Sequence, residues 1–344
     1  MRRPIRLVTA ALLGASLALA GCTGSDEEES TDGSEQPSDG EAATPAGEDL
    51  PTVSTEVGET PVVEFPGSGA PETLQTEVVV EGDGAEVGAD DVVVANYSGQ
   101  IWDGEVFDSS FDRGAPTAFS LNQVIPGWKE GLTGTHVGDR VVISIPPEDG
   151  YGETGQPAAG IGPEDTLLFV VDVVDTFAPD AQAEADATPV EPAPDLPVTI
   201  EGDLGSAATI AVEEGAEEPT EMTTHVIAEG SGDPVPETPG STVVLQYAAA
   251  SWDGSTTEST WELGSVMAQP VGMGSVADAL TGVPVGSRVV VLAPALAEQG
   301  VPSSAFVFDV VGAVEGPPVE GGESPSESGS ESGSGAESPS ESAS

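Results

Sequence analysis

An α+β architecture, a curved antiparallel sheet packed on one short helix and present twice, is what this sequence predicts. Three observations predict it. Apolar runs alternate with the period of strands, one stretch carries helical spacing, and the strand blocks of the first half recur about 150 residues later in the same order.

The ends are set apart from fold reasoning. Arg2, Arg3 and Arg6 precede an apolar run from Leu7 to Ala20 that ends in Leu19-Ala20-Gly21-Cys22. That pattern is a signal peptide over 1–21, too short for a stable membrane span. A small-residue cleavage site followed by cysteine resembles the bacterial lipobox. The resemblance implies cleavage before Cys22, acylation of its sulfur and new amino group, and anchoring at the extracytoplasmic face of the cell membrane. Cys22 is the only cysteine, so no intramolecular disulfide can form.

Residues 22–50 and 315–344 are Ser, Gly, Pro and acid with almost no apolar side chains. They cannot offset their ordering entropy and are expected to be a disordered tether and a disordered tail. The chain carries seven basic and 61 acidic residues, a formal net charge of −54. Nucleic acid and anionic lipid surfaces are excluded as partners, because both need clustered Lys and Arg.

Two stretches able to bury a core remain, 51–178 and 196–314, joined by an Ala/Pro/acidic linker over 179–195. In the first, strands are expected at Val78–Val80, Val92–Tyr97, Val141–Ile145 and Leu167–Val174, with turns at Asp103-Gly104, Gly138-Asp139 and Asp149-Gly150. Alternation puts Val93, Ala95 and Tyr97 on one face. The helix is Pro126–Leu132, with proline near the first turn, where its missing N–H costs nothing. Ile125, Trp128 and Leu132 share one side of it, so Trp128 becomes a flat floor beneath the sheet. Tyr97, Phe107, Phe119, Tyr151 and Phe169 fall where strands and loops can converge on that floor.

The second stretch supplies an internal contrast. "PETLQTEVVVEGDG" aligns with "PTEMTTHVIAEGSG", "VVVANYSGQIWDG" with "VVLQYAAASWDG", and "GLTGTHVGDRVVISIP" with "ALTGVPVGSRVVVLAP". Tyr247 and Trp252 are kept, but Thr257 stands opposite Phe107, Glu258 opposite Asp108, Val276 opposite Trp128 and Gln299 opposite Tyr151. Scaffold residues persist where the aromatic ones do not, so the aromatics of the first copy mark a pocket.

With "NYSGQIWDGEVFDSSFDRGAPTAFSL", "VIPGWKEGL", "VGDRVVISIPPEDGYGETGQP" and "TLLFVVDVV" in that order, the stretch from Glu77 to Val174 resembles the FKBP-type peptidyl-prolyl cis-trans isomerases. The resemblance implies two FKBP-like domains, the second degenerate. It also implies a proline-binding pocket of Tyr97, Phe107, Asp108, Val124, Ile125, Trp128, Tyr151 and Phe169. Trp128 would floor the pocket, Tyr151 would donate to a substrate carbonyl, and Asp108 would sit at the rim, held by Arg113. Thr117 stands where many members have an aromatic wall, Gln156 where some have histidine, and Gly160 where isoleucine is common.

The implied function is acceleration of Xaa-Pro rotation in exported proteins, with proline-containing polypeptides as clients and a macrolide as possible inhibitor. The alternative is a non-catalytic peptide-binding or chaperone module. No cofactor or metal is expected: Cys22 is the lipid site, and His136 and His225 lie apart in the sequence. The acidic run 81–91 lacks the ligand register of an EF-hand. The chain is expected to act as a monomer.

Overall fold

The computed structural model describes residues 50–272, 274–296 and 300–316; the expected signal peptide, lipid site Cys22, tether to residue 49 and tail from residue 317 lie outside the described residues. The described residues begin with a hairpin of β1 (Thr52–Val53) and β2 (Val63–Glu64). A six-stranded antiparallel sheet follows, from β3 (Gln75–Val80), β4 (Val92–Ile101), β5 (Val106–Ser109), β6 (Thr117–Ser120), β7 (Arg140–Ile145) and β8 (Leu167–Phe177). Its order is β3-β7-β8-β4-β5, with β6 also pairing β4.

Period-2 alternation gives the sheet two apolar faces. Val93, Ala95 and Tyr97 of β4, Val141, Ile143 and Ile145 of β7, and Phe169 and Val171 of β8 meet Trp128 and Leu132 on the inner face. Helix α2 (Pro126–Leu132) therefore occupies the residues expected of it. The one-turn helix α1 (Ser110–Arg113), capped by Ser109 and Gly114, was not expected. On the outer face Val142, Leu168 and Val170 are covered by Val53, Val63 and Phe65 of the hairpin. This second cover explains why all six residues of β7 are buried.

The hairpin is tied down by a buried ion pair. Arg140 and Asp172 are 0% and 1% exposed, and the guanidinium binds both carboxylate oxygens at 2.6 and 2.7 Å. Its remaining donors reach the carbonyls of Ser54 and Glu59, each at 2.8 Å, and Gly58 N–H donates to Asp172 at 2.6 Å. Each charge thus has enough partners to offset its desolvation.

The second half repeats this plan. It contains β9 (Thr188–Pro189), β10 (Val198–Glu201), β11 (Thr209–Val212), β12 (Thr223–Glu229), β13 (Thr242–Ser251), β14 (Thr257–Ser259), β15 (Met267–Pro270), β16 (Arg288–Ala293) and β17 (Ser304–Val314). The order β14-β13-β17-β16-β12 matches the first sheet, with β15 on β13 and β9 added beyond β12. The hairpin β10–β11 covers the outer face, and Arg288, paired with Asp309, binds the carbonyls of Gly202, Asp203 and Ser206.

Four expectations are corrected. Among the described residues the second half has no counterpart of α2: Val276–Leu280 is a 3-10 turn, its approach from the preceding strand being two residues shorter, and the one α-helix described there is the single turn α3 (Thr260–Leu263). The segment 179–195 is not a free linker. It adds β9 to the second sheet, buries Ala183 and Ala187, and holds the Ser231 N–H and hydroxyl through Glu184. Leu50, assigned to the tether, is buried, and Gly316 still donates to Ser241 at 2.9 Å. The halves meet through Val92, Val94 and Phe177 against Val244, Val266 and Val314. Gly312 is required there, because a Cβ on it would lie 2.1 Å from the Phe177 ring.

Arg140→Met leaves Asp172 buried and unpaired. It is expected to cost about 3–5 kcal/mol in denaturant unfolding and to open the 54–62 loop to proteolysis before the rest of the chain.

Candidate active site

All eight residues implied by the resemblance line one cavity of about 290 Å³, joined by Phe119 and Gln123. Trp128 is its floor, 4% exposed. Its ring centroid lies 5.5 Å from Tyr97, 5.3 Å from Phe169 and 4.9 Å from Phe119, the first two edge-on. Phe107 stands edge-on to Phe169 at 5.6 Å. A larger hollow of about 600 Å³ on the other side of α2 is bordered by Lys129, Glu130 and Thr133 and has no aromatic wall.

The glycines that bracket Trp128 seat the helix. A Cβ on Gly127 would lie 2.5 Å from Ile145, and one on Gly131 2.8 Å from Ile143. Bare backbone lets α2 rest directly on β7, which fixes the height of the indole. Gly99 does the same for the opposite wall, since a Cβ there would lie 2.5 Å from Phe169 and 2.9 Å from Phe107.

Phe107 and Asp108 are neighbours on β5 and would ordinarily point to opposite faces. A bulge intervenes: Gly99 pairs with Asp108 but Gln100 pairs with Val106. The extra residue lets both side chains border the cavity.

Asp108 is already engaged twice. The Tyr97 hydroxyl donates to one carboxylate oxygen and Arg113 to the other, while Arg113 also donates to the Tyr97 oxygen at 2.7 Å. Helix α1 is what returns Arg113 toward Asp108. Partial burial works against the carboxylate, yet the Tyr97 and Arg113 hydrogen bonds hold Asp108 below the usual carboxylate range. Burial, reinforced by the bond to Asp108, pushes the Tyr97 hydroxyl up to about 12. Among the described residues the Tyr151 hydroxyl has no hydrogen-bond partner, and it borders the cavity free to donate.

Two wall residues lie outside the eight that the resemblance implied, although Phe119 was already expected among the aromatics that converge on the floor. Phe119 supplies the aromatic wall sought at Thr117; both lie on the same face of β6, and Thr117 instead accepts from Arg113 at 3.4 Å. The expected isoleucine is Ile161, next to Gly160, and is buried in the core. Gln123 had no signal in the sequence. His136 and His225 are both half-buried and outside the cavity.

The second half inverts these choices. Ala249 replaces Gly99 and Thr257 replaces Phe107; there is no bulge between β13 and β14, Gln269 replaces Phe119, and Leu263 replaces Arg113. Residues equivalent to Val124 and Ile125 are missing from the shortened approach to 276–280. Phe169 does have a counterpart, Phe306, so not every pocket residue was lost. Phe308 stands where the first half has Val171, wholly buried and stacked on Phe306 at 5.5 Å, in the same apolar cluster against which Val276 packs. Gln299, aligned with Tyr151, lies outside the described residues.

A concave apolar cavity with aromatic walls, one free hydroxyl and no free acid or base can take a small apolar ring. The FKBP-type peptidyl-prolyl cis-trans isomerase family model matches residues 84–174. Over 119 residues the chain is 41% identical to the FK506-binding protein of Streptomyces anulatus, covering 34% of this chain and 96% of that one. Over 117 residues it is 46% identical to the FKBP-type peptidyl-prolyl cis-trans isomerase FkpA of Escherichia coli, covering 33% of this chain and 43% of that one. The crystal structure of FkpA matches with a TM-score of 0.29 and 45% identity, covering 30% of this chain and 47% of that one. The chain therefore spans less than half the length of FkpA. It belongs to the FKBP-type peptidyl-prolyl cis-trans isomerase family.

Gly127→Ala is expected to destabilise by about 1–3 kcal/mol through overpacking against Ile145, read as a lowered denaturation midpoint. The Tyr97–Asp108–Arg113 network has a plain pH dependence. Asp108 is depressed in the fold, so the stability it adds is present above the ordinary carboxylate pKa and disappears as pH falls through its lowered value. With Tyr97 protonated up to about pH 12, ligand affinity should be flat from about pH 6 to about pH 9, and a titration in that window would count against this assignment.

Proposed function

We propose that the chain is a peptidyl-prolyl cis-trans isomerase acting on exported proteins, lipid-anchored through Cys22 at the outer face of the cell membrane. One observation carries the catalytic part: the eight residues implied by the family resemblance converge on a single cavity floored by Trp128. The signal peptide and the cysteine at its end support the location.

Rotation about an Xaa-Pro bond must break amide resonance, against a barrier of about 18–20 kcal/mol, and takes tens to hundreds of seconds unaided, as a rough range. The planar amide is more polar than the twisted one. A cavity that replaces water with aromatic walls therefore disfavours the ground state more than the transition state. Tyr151 holds a flanking carbonyl while the proline ring rests on Trp128. Asp108 has both oxygens occupied and takes no proton. Its role is to fix Tyr97 and close the rim.

In this account the second half is a degenerate FKBP-like domain whose chamber Phe308 has filled. It contributes binding surface and no turnover. The clients are proline-containing segments, a macrolide that fills the cavity would inhibit, and a single chain suffices because every wall comes from the same half.

A protease-coupled assay on an Ala-Leu-Pro-Phe peptide tests the reading with the full chain. The wild type should exceed background, and Trp128→Ala should lose about tenfold or more of kcat/KM, or roughly 1.4 kcal/mol. Background-level turnover by a folded wild type would refute isomerase activity. Activity surviving Trp128→Ala but falling in Val276→Ala would refute the assignment of the two halves.

A further inference from the structure

Gln123 borders two hollows. One is the aromatic cavity; the other, of about 540 Å³, lies between the halves and is lined by Ala118 and Ser120 on one side and Tyr247, Glu258, Leu263 and Met267 on the other. The Gln123 side chain is exposed and has no hydrogen-bond partner among the described residues. A polypeptide leaving the cavity past Gln123 enters this cleft directly.

Glu258 sits in the cleft at the position that Asp108 holds in the first half. Asp108 is neutralised by Arg113, but the equivalent of Arg113 is Leu263, which is 70% exposed. No other residue of this chain can replace that arginine. Outside the three signal-peptide arginines the sequence has only four cations, Arg113, Lys129, Arg140 and Arg288. All four are committed, to Asp108, Asp90, Asp172 and Asp309. Glu258 forms no ion pair among the described residues, while Leu263 and Met267 beside it offer apolar surface to an alkyl stem.

We infer that the cleft between the halves is a client subsite that takes a lysine or arginine flanking the proline, with Glu258 as its acceptor. Resting on the isomerase reading for what fills the neighbouring cavity, this makes the second half the specificity-determining part. Diffuse acidity over the surface draws any basic polypeptide inward. Glu258 adds a position at which the positive charge must stand.

The test uses the full chain and fluorescent peptides carrying one Leu-Pro-Phe unit, with a single lysine walked along either flank and a glutamine peptide for each position. Anisotropy titration should find one lysine register bound about two- to fivefold tighter than its glutamine twin, the range of an exposed ion pair. That ratio should fall to one in Glu258→Gln and drop below one in Glu258→Lys. Leu263→Arg, which rebuilds the first half's pairing on an exposed side chain, should also abolish it. A ratio that ignores residues 258 and 263, or no favoured lysine register, overturns the subsite. Turnover of the short Ala-Leu-Pro-Phe peptide by the wild type reports separately on the isomerase reading. Failure there with lysine selectivity intact would remove the enzyme and keep the subsite.

Discussion

The ring contacts between Trp128 and the side chains of Tyr97, Phe119 and Phe169 are what the rest of the first half is arranged to permit. Such pairs contribute about 0.5–1.5 kcal/mol each beyond burial, but their geometric effect matters more. An apolar hollow in water tends to collapse or fill. This one stays open because its floor and walls brace one another: Gly127 and Gly131 seat α2 on β7, Gly99 makes room for Phe107 and Phe169, and the β5 bulge turns Phe107 and Asp108 inward together. Removing the indole would take away the surface against which three other rings are positioned.

The second half is a control written into the same chain. Its sheet order, covering hairpin and buried Arg288–Asp309 pair repeat those of the first half, so the scaffold does not depend on the cavity. Where Trp128 is exchanged for Val276, Val171 is exchanged for Phe308, and bulk moves from the helix side to the sheet side. With Phe107 gone, Ala249 can stand where Gly99 was obligatory. These reciprocal changes keep the core of the second half packed without an aromatic floor. The retained arginine shows which interaction the fold needs in both halves.

Apolar alternation and the spacing of Ile125, Trp128 and Leu132 were enough to place β3, β4, β7, β8, helix α2 and the indole, because burial sets those periods directly, whereas the short strands β5 and β6 were not expected. The site residues were legible through motif order. Other features depend on contacts between residues far apart in sequence. The covering hairpin was invisible because its strands are two residues each and are held by Arg140 from 86 and 81 positions away. Phe119 was legible as an aromatic near the floor, but motif order marked the wall position at Thr117, since one strand face carries both. The segment 179–195 reads as a spacer from its Ala, Pro and acid content, yet its backbone pairs with β12 and its small side chains fit beneath the second sheet. Composition reports flexibility only where no neighbour supplies a partner.

The central claim is that an open aromatic hollow above residue 128, and no ionisable group, lowers the barrier to prolyl rotation. The most direct measurement transplants the second half's packing into the first, combining Trp128→Val with Val171→Phe, and compares cooperative unfolding with isomerase turnover. Near-native stability with the rate enhancement gone is the result this account predicts. A stable double variant that still accelerates the reaction as well as the wild type would contradict it.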